Sequence, residues 1–380
     1  MKTLLISPFF YPEPISTGKY NTDLALNLVR QGHRVHVWCF HSFYPDWKIK
    51  RSDQQLNNIF IKRGGLGVRF TGKQFIDRLI LEFTFLFFVI KEKVKNKQAF
   101  DNIIFISPPS LSIFILKAFK AKINKVIIVH DLQFIHIKTK SDKLSKAVFF
   151  IEKKLMRFSN KLIFLSEEMK SFFDNSKQFL SSTIHVQLPF VSIEKSNNPR
   201  AILNKGINIV YSGALGAKQS PERLLSLFEH VSNQNKDWSF YFFSSGCHFE
   251  AIKKRNKNPK IHFLPLVDKE KVHQLYVEST VQIIPQTSGS SSGSLPSKLP
   301  NLIYSETKIL TITDSQSELE KIIQQYPNGN SINSWDNSIF AQALDKLVRM
   351  KGTNNSTEIE KMCKEYFSVD SLIAKIINGE

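Results

Sequence analysis

Lys2-Thr3-Leu4-Leu5-Ile6-Ser7, the segment from Asn21 to Arg30, Gly32, and Val35-His36-Val37-Trp38-Cys39 together decide the fold class. Leu4-Leu5-Ile6 is an apolar run of strand length. A loop from Pro8 to Lys19 follows, then a helix from about Asn21 to Arg30. Gly32 ends that helix, because glycine takes the left-handed conformation at a helix C-terminus without steric cost. Val35 to Cys39 is the next strand. Strand, helix and strand in this order predict parallel pairing with a crossover helix.

The same rhythm extends outward from this unit. Ile103-Ile104-Phe105-Ile106, Val126-Ile127-Ile128-Val129 and Leu162-Ile163-Phe164-Leu165 read as further strands. Between Pro189 and Asn208 the pattern lapses, with Asn197-Asn198-Pro199 at its middle. A second series then runs through Ile209-Val210-Tyr211-Ser212-Gly213, Phe240-Tyr241-Phe242-Phe243, Ile261-His262-Phe263-Leu264, Val281-Gln282-Ile283-Ile284-Pro285 and Ile309-Leu310-Thr311-Ile312. The expectation is α/β architecture with two Rossmann-like parallel-sheet domains facing each other across a cleft. The first spans 1–192, a linker 193–208, and the second 209–360. A final helix over 361–380 is a candidate to cross back onto the first domain.

A chain of 380 residues with 42% hydrophobic and 22% charged composition suits two globular domains and excludes a disordered protein. The net charge of +19 favours an anionic partner: nucleic acid, an acidic membrane surface or a phosphate-rich substrate. Cys39, Cys247 and Cys363 are too few and too scattered for a disulfide framework, which points to a reducing, cytoplasmic compartment. The N-terminal apolar run is too short for a signal peptide. The greasiest stretch, Leu79 to Ile90, falls short of the roughly 20 residues a membrane span needs, and it contains Glu82. The Phe residues at 83, 85, 87 and 88 are expected mostly in the core, and the lysines between Lys91 and Lys146 partly at an anionic lipid surface.

In open parallel sheets, ligands sit beyond the carboxyl ends of the strands. That rule selects Pro12–Lys19, Ser107–Ser110 and His130–Asp131 in the first half. In the second half it selects Ser212–Lys218, Ser244–Cys247, Leu266–Asp268 and Thr287–Lys298. The last of these, Thr287-Ser288-Gly289-Ser290-Ser291-Ser292-Gly293-Ser294-Leu295-Pro296-Ser297-Lys298, is either a surface linker or a phosphate cradle opening a helix. The strand before it and the helix after it favour the cradle. Lys218 follows a second small-residue loop and is either a diphosphate partner or a solvated lysine. His130 ends an apolar strand and is either a substrate contact or a hydrogen-bonded structural residue. The pairs His33/His36 and His130/His136 lack companion ligands, so no metal site is expected.

Ser7-Pro8-Phe9-Phe10-Tyr11-Pro12-Glu13-Pro14 with Thr17-Gly18-Lys19-Tyr20, then Gly32-His33-Arg34-Val35-His36-Val37, resembles the N-terminal half of family-4 glycosyltransferases. Tyr44-Pro45-Asp46-Trp47, Ser107-Pro108-Pro109, Tyr211-Ser212-Gly213 with Lys218-Gln219, and Pro296-Ser297-Lys298-Leu299 extend the resemblance over nearly the whole chain. The nearest likeness is to the WcaI-like branch that makes colanic acid and O-antigen. This resemblance implies a GT-B fold, retention of anomeric configuration, no metal or other cofactor, and a nucleotide diphosphate sugar donor held by the C-terminal domain. It places Gly18 where donor and acceptor meet, with Thr17 and Lys19 toward the acceptor, and His130 near the donor sugar. Gly213, Lys218, Gly246, Leu266, Gly293, Ser294, Ser297, Lys298 and Asn301 fall on the donor side.

The departures from the family pattern are specific. Gly293 and Asn301 stand where many relatives carry two glutamates, Glu306 and Lys308 where they carry Gly and Pro, and Ala214 near a usual Arg. The expected activity is sugar transfer to a lipid-linked or oligosaccharide acceptor in surface polysaccharide synthesis. The expected location is the inner face of a bacterial plasma membrane, with no nucleic-acid partner. The alternatives are a basic nucleic-acid-binding α/β protein and a non-catalytic partner subunit.

Overall fold

Ile103, Ile104, Phe105 and Ile106 are all fully buried, as are Val126 through Val129. Strands buried on both faces read as unbroken apolar runs, and that is the signature of a parallel sheet covered by helices. The computed structural model of the protein describes residues 1–13, 15–44, 46–138, 141–174, 182–195, 201–290, 295–350 and 355–378. Gly293, Ser294 and the expected linker centre, Asn197 to Pro199, lie outside them.

The first compact unit comprises Met1–Leu188 and Val369–Glu380. It runs β1 (Lys2–Ile6), α1 (Ser16–Arg30), β2 (Arg34–Phe40), β3 (Ile59–Gly64), α2 (Gln74–Lys95), β4 (Asn102–Ser107) and a 3-10 segment (Leu111–Ala118). It continues with β5 (Asn124–Val129), α3 (Gln133–Lys138), α4 (Asp142–Met156), β6 (Lys161–Phe164), α5 (Glu167–Asp174) and β7 (Thr183–Val186). The second unit, Pro189–Ser368, runs β8 (Ile207–Ser212), α6 (Pro221–Gln234), β9 (Trp238–Phe243), α7 (Cys247–Arg255), β10 (Ile261–Leu264) and α8 (Val272–Glu278). Then come β11 (Val281–Pro285), α9 (Leu299–Tyr304), β12 (Ile309–Ile312), α10 (Glu318–Gln325), β13 (Gly329–Ile332), α11 (Asn337–Arg349) and α12 (Ser356–Tyr366). A last helix, α13 (Val369–Ile377), belongs to the first unit.

Among the described residues, the strand orders are β3-β2-β1-β4-β5-β6-β7 and β10-β9-β8-β11-β12-β13, with every pairing parallel. Both are doubly wound sheets. Their order reverses once, between β1 and β4 in one and between β8 and β11 in the other. Those two switch points are where such sheets bind ligands.

Three features differ from the sequence reading. The helix expected from about Asn21 starts at Ser16, so Thr17, Gly18 and Lys19 form its first turn. Gly18 permits this: a Cβ there would come within 3.0 Å of both the Cβ and the carbonyl oxygen of Glu13. The division between units falls at Leu188/Pro189, before the expected boundary at 192, and only α13, not all of 361–380, returns to the first unit. That helix docks through buried Leu372, Ile373 and Ile376. Asn124 and Lys161 donate to its Ile376 carbonyl at 2.7 and 3.0 Å. Both donors sit at the starts of their strands, so the returning helix docks at the edge opposite the strands' carboxyl ends. The third difference is the strands β3, β7 and β13, which had no counterpart in the sequence reading.

Glu306, a position where the resemblance implies glycine, has a φ of 56°, in the left-handed region. It closes α9 as glycine would: Glu306 N–H bonds Ile303 O at 2.9 Å and Thr307 N–H bonds Leu302 O at 3.2 Å. A Cβ in this conformation costs on the order of 1 kcal/mol. Its exposed carboxylate regains only a 2.9 Å hydrogen bond from Ser356. Glu306→Gly should therefore stabilise the second unit by about 0.5–1 kcal/mol; a lower urea midpoint in equilibrium unfolding would contradict this reading.

Candidate functional site

In the first unit, the loop leaving β1 is anchored by side chains. Asn21 Nδ2 donates to Ser7 Oγ at 3.0 Å and to Phe9 O at 2.9 Å, fixing α1 against the strand end. Glu13 is 3% exposed, and its carboxylate accepts the N–H groups of Phe43 at 3.0 Å and Tyr44 at 2.6 Å. Burial raises its pKa against those hydrogen bonds. Thr17, Gly18 and Lys19 thus sit in a helix first turn with no acidic residue, an end that favours negative charge. Lys19 is exposed and Gly18 is buried.

His130 follows β5, and its N–H bonds Ser107 O at 2.9 Å. Its ring stands edge-on to Tyr20, with centroids 4.5 Å apart. The residue keeps some exposure, but its Nε2 is enclosed and without a hydrogen-bond partner. Burial, opposed by the Asp131 carboxylate, pushes its pKa down to about 4. At neutral pH the ring is therefore uncharged: it can hold a hydroxyl by a hydrogen bond but carries no formal charge.

Two buried carboxylates that the sequence reading did not select hold the loops after β4 and β5 together. Glu82 of α2 accepts from Ser110 N at 2.9 Å, from Leu111 N at 2.8 Å and from the Gln133 side-chain amide. Glu152 of α4 accepts from Ser110 Oγ at 2.9 Å, Gln133 N at 3.2 Å and Phe134 N at 3.5 Å. Burial raises both pKa values, Glu152 to about 7, helped by the neighbouring Glu82. The available signal was Glu82 itself, a carboxylate inside an otherwise apolar helix.

In the second unit, the loops after β8 and β11 meet at the switch point. Thr287 N–H bonds Lys218 O at 2.8 Å. Gly213, with φ of 131°, donates to Phe243 O at 3.0 Å and accepts from Ser244 Oγ at 2.7 Å. Ser288 Oγ and Gly289 N–H both reach the Asp314 carboxylate at 2.8 Å, fastening the start of the small-residue loop. Lys218 and Ser297 are exposed at this edge. Gly246, with φ of 98°, caps α7 after β9, and Leu266, 48% exposed, follows β10; both border the same carboxyl edge.

Two expected donor contacts are otherwise engaged. Both ends of the Asn301 amide hold Ser192, its Oδ1 accepting the backbone N–H at 2.8 Å and its Nδ2 donating to the hydroxyl at 3.2 Å. The Lys298 ammonium donates to Ser212 O and Ile283 O at 2.9 and 3.0 Å. Among the described residues, no group of three or more His, Cys, Asp or Glu side chains is placed to hold a metal ion.

Residues 17–195 match the sequence model of Glycosyltransferase Family 4. No curated protein matches the chain. Several solved structures share its fold from end to end. Sucrose-phosphate synthase from Thermosynechococcus elongatus superposes with a TM-score of 0.72 at 13% identity, covering 100% of this chain and 98% of that one. WaaG, a glycosyltransferase involved in lipopolysaccharide biosynthesis, gives 0.68 at 11% identity with 100% of each chain covered. The lipopolysaccharide outer core galactosyltransferase WaaB gives 0.64 at 13% identity, covering 100% and 99%.

Proposed function

We propose that the chain, which has a GT-B fold and matches family 4 over residues 17–195, is a glycosyltransferase that moves a sugar from a nucleotide diphosphate donor to a lipid-linked or oligosaccharide acceptor. The observation that carries the donor reading is the junction at the β8/β11 switch point. There the Lys218 backbone is bonded to Thr287, which places an exposed lysine beside the small-residue loop. Breaking the bond from the anomeric carbon to the diphosphate leaves charge on phosphate, and a fixed cation there stabilises that charge. The acceptor oxygen bonds the anomeric carbon, its proton passes to the departing phosphate oxygen, and a nucleoside diphosphate leaves. Retention follows if attack and departure share one face of the sugar. In the first unit, the neutral His130 ring and the first turn of α1 at Thr17, Gly18 and Lys19 are groups suited to sugar hydroxyls. No metal or other cofactor enters this scheme. A thermal-shift panel of UDP, GDP, ADP and dTDP tests it: at least one should raise the melting temperature, since a ligand binding only the folded state stabilises it. No shift with any of the four would oppose the donor assignment. Neither the family match nor the fold favours the nucleic-acid alternative.

The second part of the proposal is a peripheral seat on the cytoplasmic face of a bacterial plasma membrane, in surface polysaccharide synthesis. Leu81, Phe85 and Val89 point into the core, whereas Phe83 and Phe87, from the run expected mostly inside, are 52% and 68% exposed. Helical periodicity explains the split: positions 79, 83, 87, 90 and 94 form one outward stripe. Phe114 on the adjoining 3-10 segment and Phe150 on α4 are also exposed. Lysines accompany them, Lys117 lying 5.3 Å over Phe114 and Lys154 4.4 Å over Phe150. No helix among the described residues is long and apolar enough to cross a membrane. Binding to vesicles containing anionic phosphatidylglycerol should weaken as salt rises, and Phe83→Ser with Phe87→Ser should reduce it further. Equal binding to neutral phosphatidylcholine vesicles would contradict the electrostatic part.

A further inference from the structure

In the second sheet β8 pairs with β9 at six successive positions, from Ile207↔Trp238 to Ser212↔Phe243. Against β11, however, it pairs only at Ile209↔Val281 and Val210↔Gln282. Beyond that point the two strands no longer share a ladder, and backbone carbonyls without a strand partner are costly inside a protein. The Lys298 ammonium fills the opening. It donates to Ser212 O at 2.9 Å on one strand and Ile283 O at 3.0 Å on the other, and lies 4.5 Å over the Tyr211 ring. Ser212 Oγ adds a contact to Gln282 Oε1 at 3.1 Å across the same gap.

We propose that Lys298 is a positioning residue that splices the diverging ends of β8 and β11 and so sets the spacing of the two loops that hold the donor diphosphate. The assignment of those loops rests on the donor reading above; the splice itself does not. Ser212 opens the 213–219 loop directly, and Ile283 lies three residues before the loop that begins at Gln286. A rigid bridge at this level fixes where Gly213 and Thr287 stand, and with them the Thr287–Lys218 hydrogen bond. Burial holds the Lys298 pKa down to about 7, and no neighbouring charge contributes to that shift. An ammonium kept in such a place without a carboxylate partner is expensive. Its carbonyl bonds and the Tyr211 face are the compensation the fold supplies, and they engage the ammonium away from a phosphate ligand's role.

Hydrogen exchange read by mass spectrometry tests the splice without any ligand. In nucleotide-free Lys298→Met, amides within 211–219 and 286–290 should exchange at least tenfold faster than in wild type, while β12 and the first unit stay unchanged. Affinity for the diphosphate that best stabilises the wild type should fall at least tenfold, with affinity for its nucleoside held within about twofold. Loop exchange at the wild-type rate would overturn the proposal. This includes the case in which diphosphate binding is lost alone, since that pattern belongs to a direct phosphate ligand. If Lys298→Met does not fold, Lys298→Gln, which keeps a donor for one carbonyl, is read by the same comparison. A wild type that binds none of the four nucleotides defeats the donor reading, and the exchange result then decides the splice alone.

Discussion

Glu82→Leu should destabilise the first unit by about 3 kcal/mol or more, because three donors lose their acceptor at once. The Ser110 and Leu111 amides and the Gln133 side chain all point at this one carboxylate. Two of the donors are backbone groups that cannot turn elsewhere, and Glu82 is only 6% exposed, so water does not readily replace it. An apolar residue of similar size fills the volume but leaves the donors unpaired, and each unpaired buried donor costs about 1–3 kcal/mol. Glu82→Gln keeps an acceptor oxygen and should cost less. Urea unfolding measures both; a Leu variant within about 0.5 kcal/mol of wild type would mean these hydrogen bonds do not hold the loops.

The partner carboxylate adds a pH dependence with a definite sign. Glu152 has its folded pKa raised from 4.5 to about 7, so the stability from keeping its proton is fully present below about 4.5 and is lost as pH rises through 7. Glu152→Gln cannot ionise. Its stability relative to wild type should therefore improve between pH 4.5 and 7 and stay level above, by roughly 3 kcal/mol at most. His130 runs in the opposite direction. Its folded pKa of about 4, against 6.5, gives stability that is present above 6.5 and lost as pH falls through 4. The Glu152 substitution should leave that acid limb in place. A stability difference independent of pH would show that burial does not shift the Glu152 pKa.

The sequence was legible where burial dictates composition. The ten strands it revealed include every central one, whose unbroken apolar runs follow from cover on both faces. The three it missed are edges. β3 carries Lys62 and Arg63, β7 is Thr-Ile-His-Val with no fully buried residue, and β13 is Gly-Asn-Ser-Ile, partly exposed throughout. An edge strand has one neighbour and one open flank, so polar residues are tolerated and the pattern fades. The rule of strand ends selected the loops that carry Gly18, His130, Gly213 and Lys218, and the structure sets those loops after strands of the two sheets. What each side chain does there was not legible. Lys298 and Asn301 lie in the expected region, yet one splices strands and the other holds Ser192, because an ammonium or an amide can serve a ligand or the fold with equal chemistry. Glu82 and Glu152 were illegible as a pair, since they lie 70 positions apart on α2 and α4, with β4, the 3-10 segment, β5 and α3 between those helices.

The central claim, that the second unit holds a donor by its diphosphate at Lys218, is tested most directly by calorimetry on wild type and Lys218→Ala. The titrants are the nucleoside diphosphate that best stabilises the wild type and the matching nucleoside. A charge-assisted contact to phosphate contributes about 1.5–3 kcal/mol, or roughly 10- to 100-fold in affinity. Lys218 is exposed and its side chain is not needed for the Thr287 bond, which uses its backbone carbonyl, so the loop should survive the substitution. The account predicts diphosphate binding weakened by that factor and nucleoside binding unchanged. Equal losses for both ligands, or none for either, would contradict it and leave Lys218 a surface lysine.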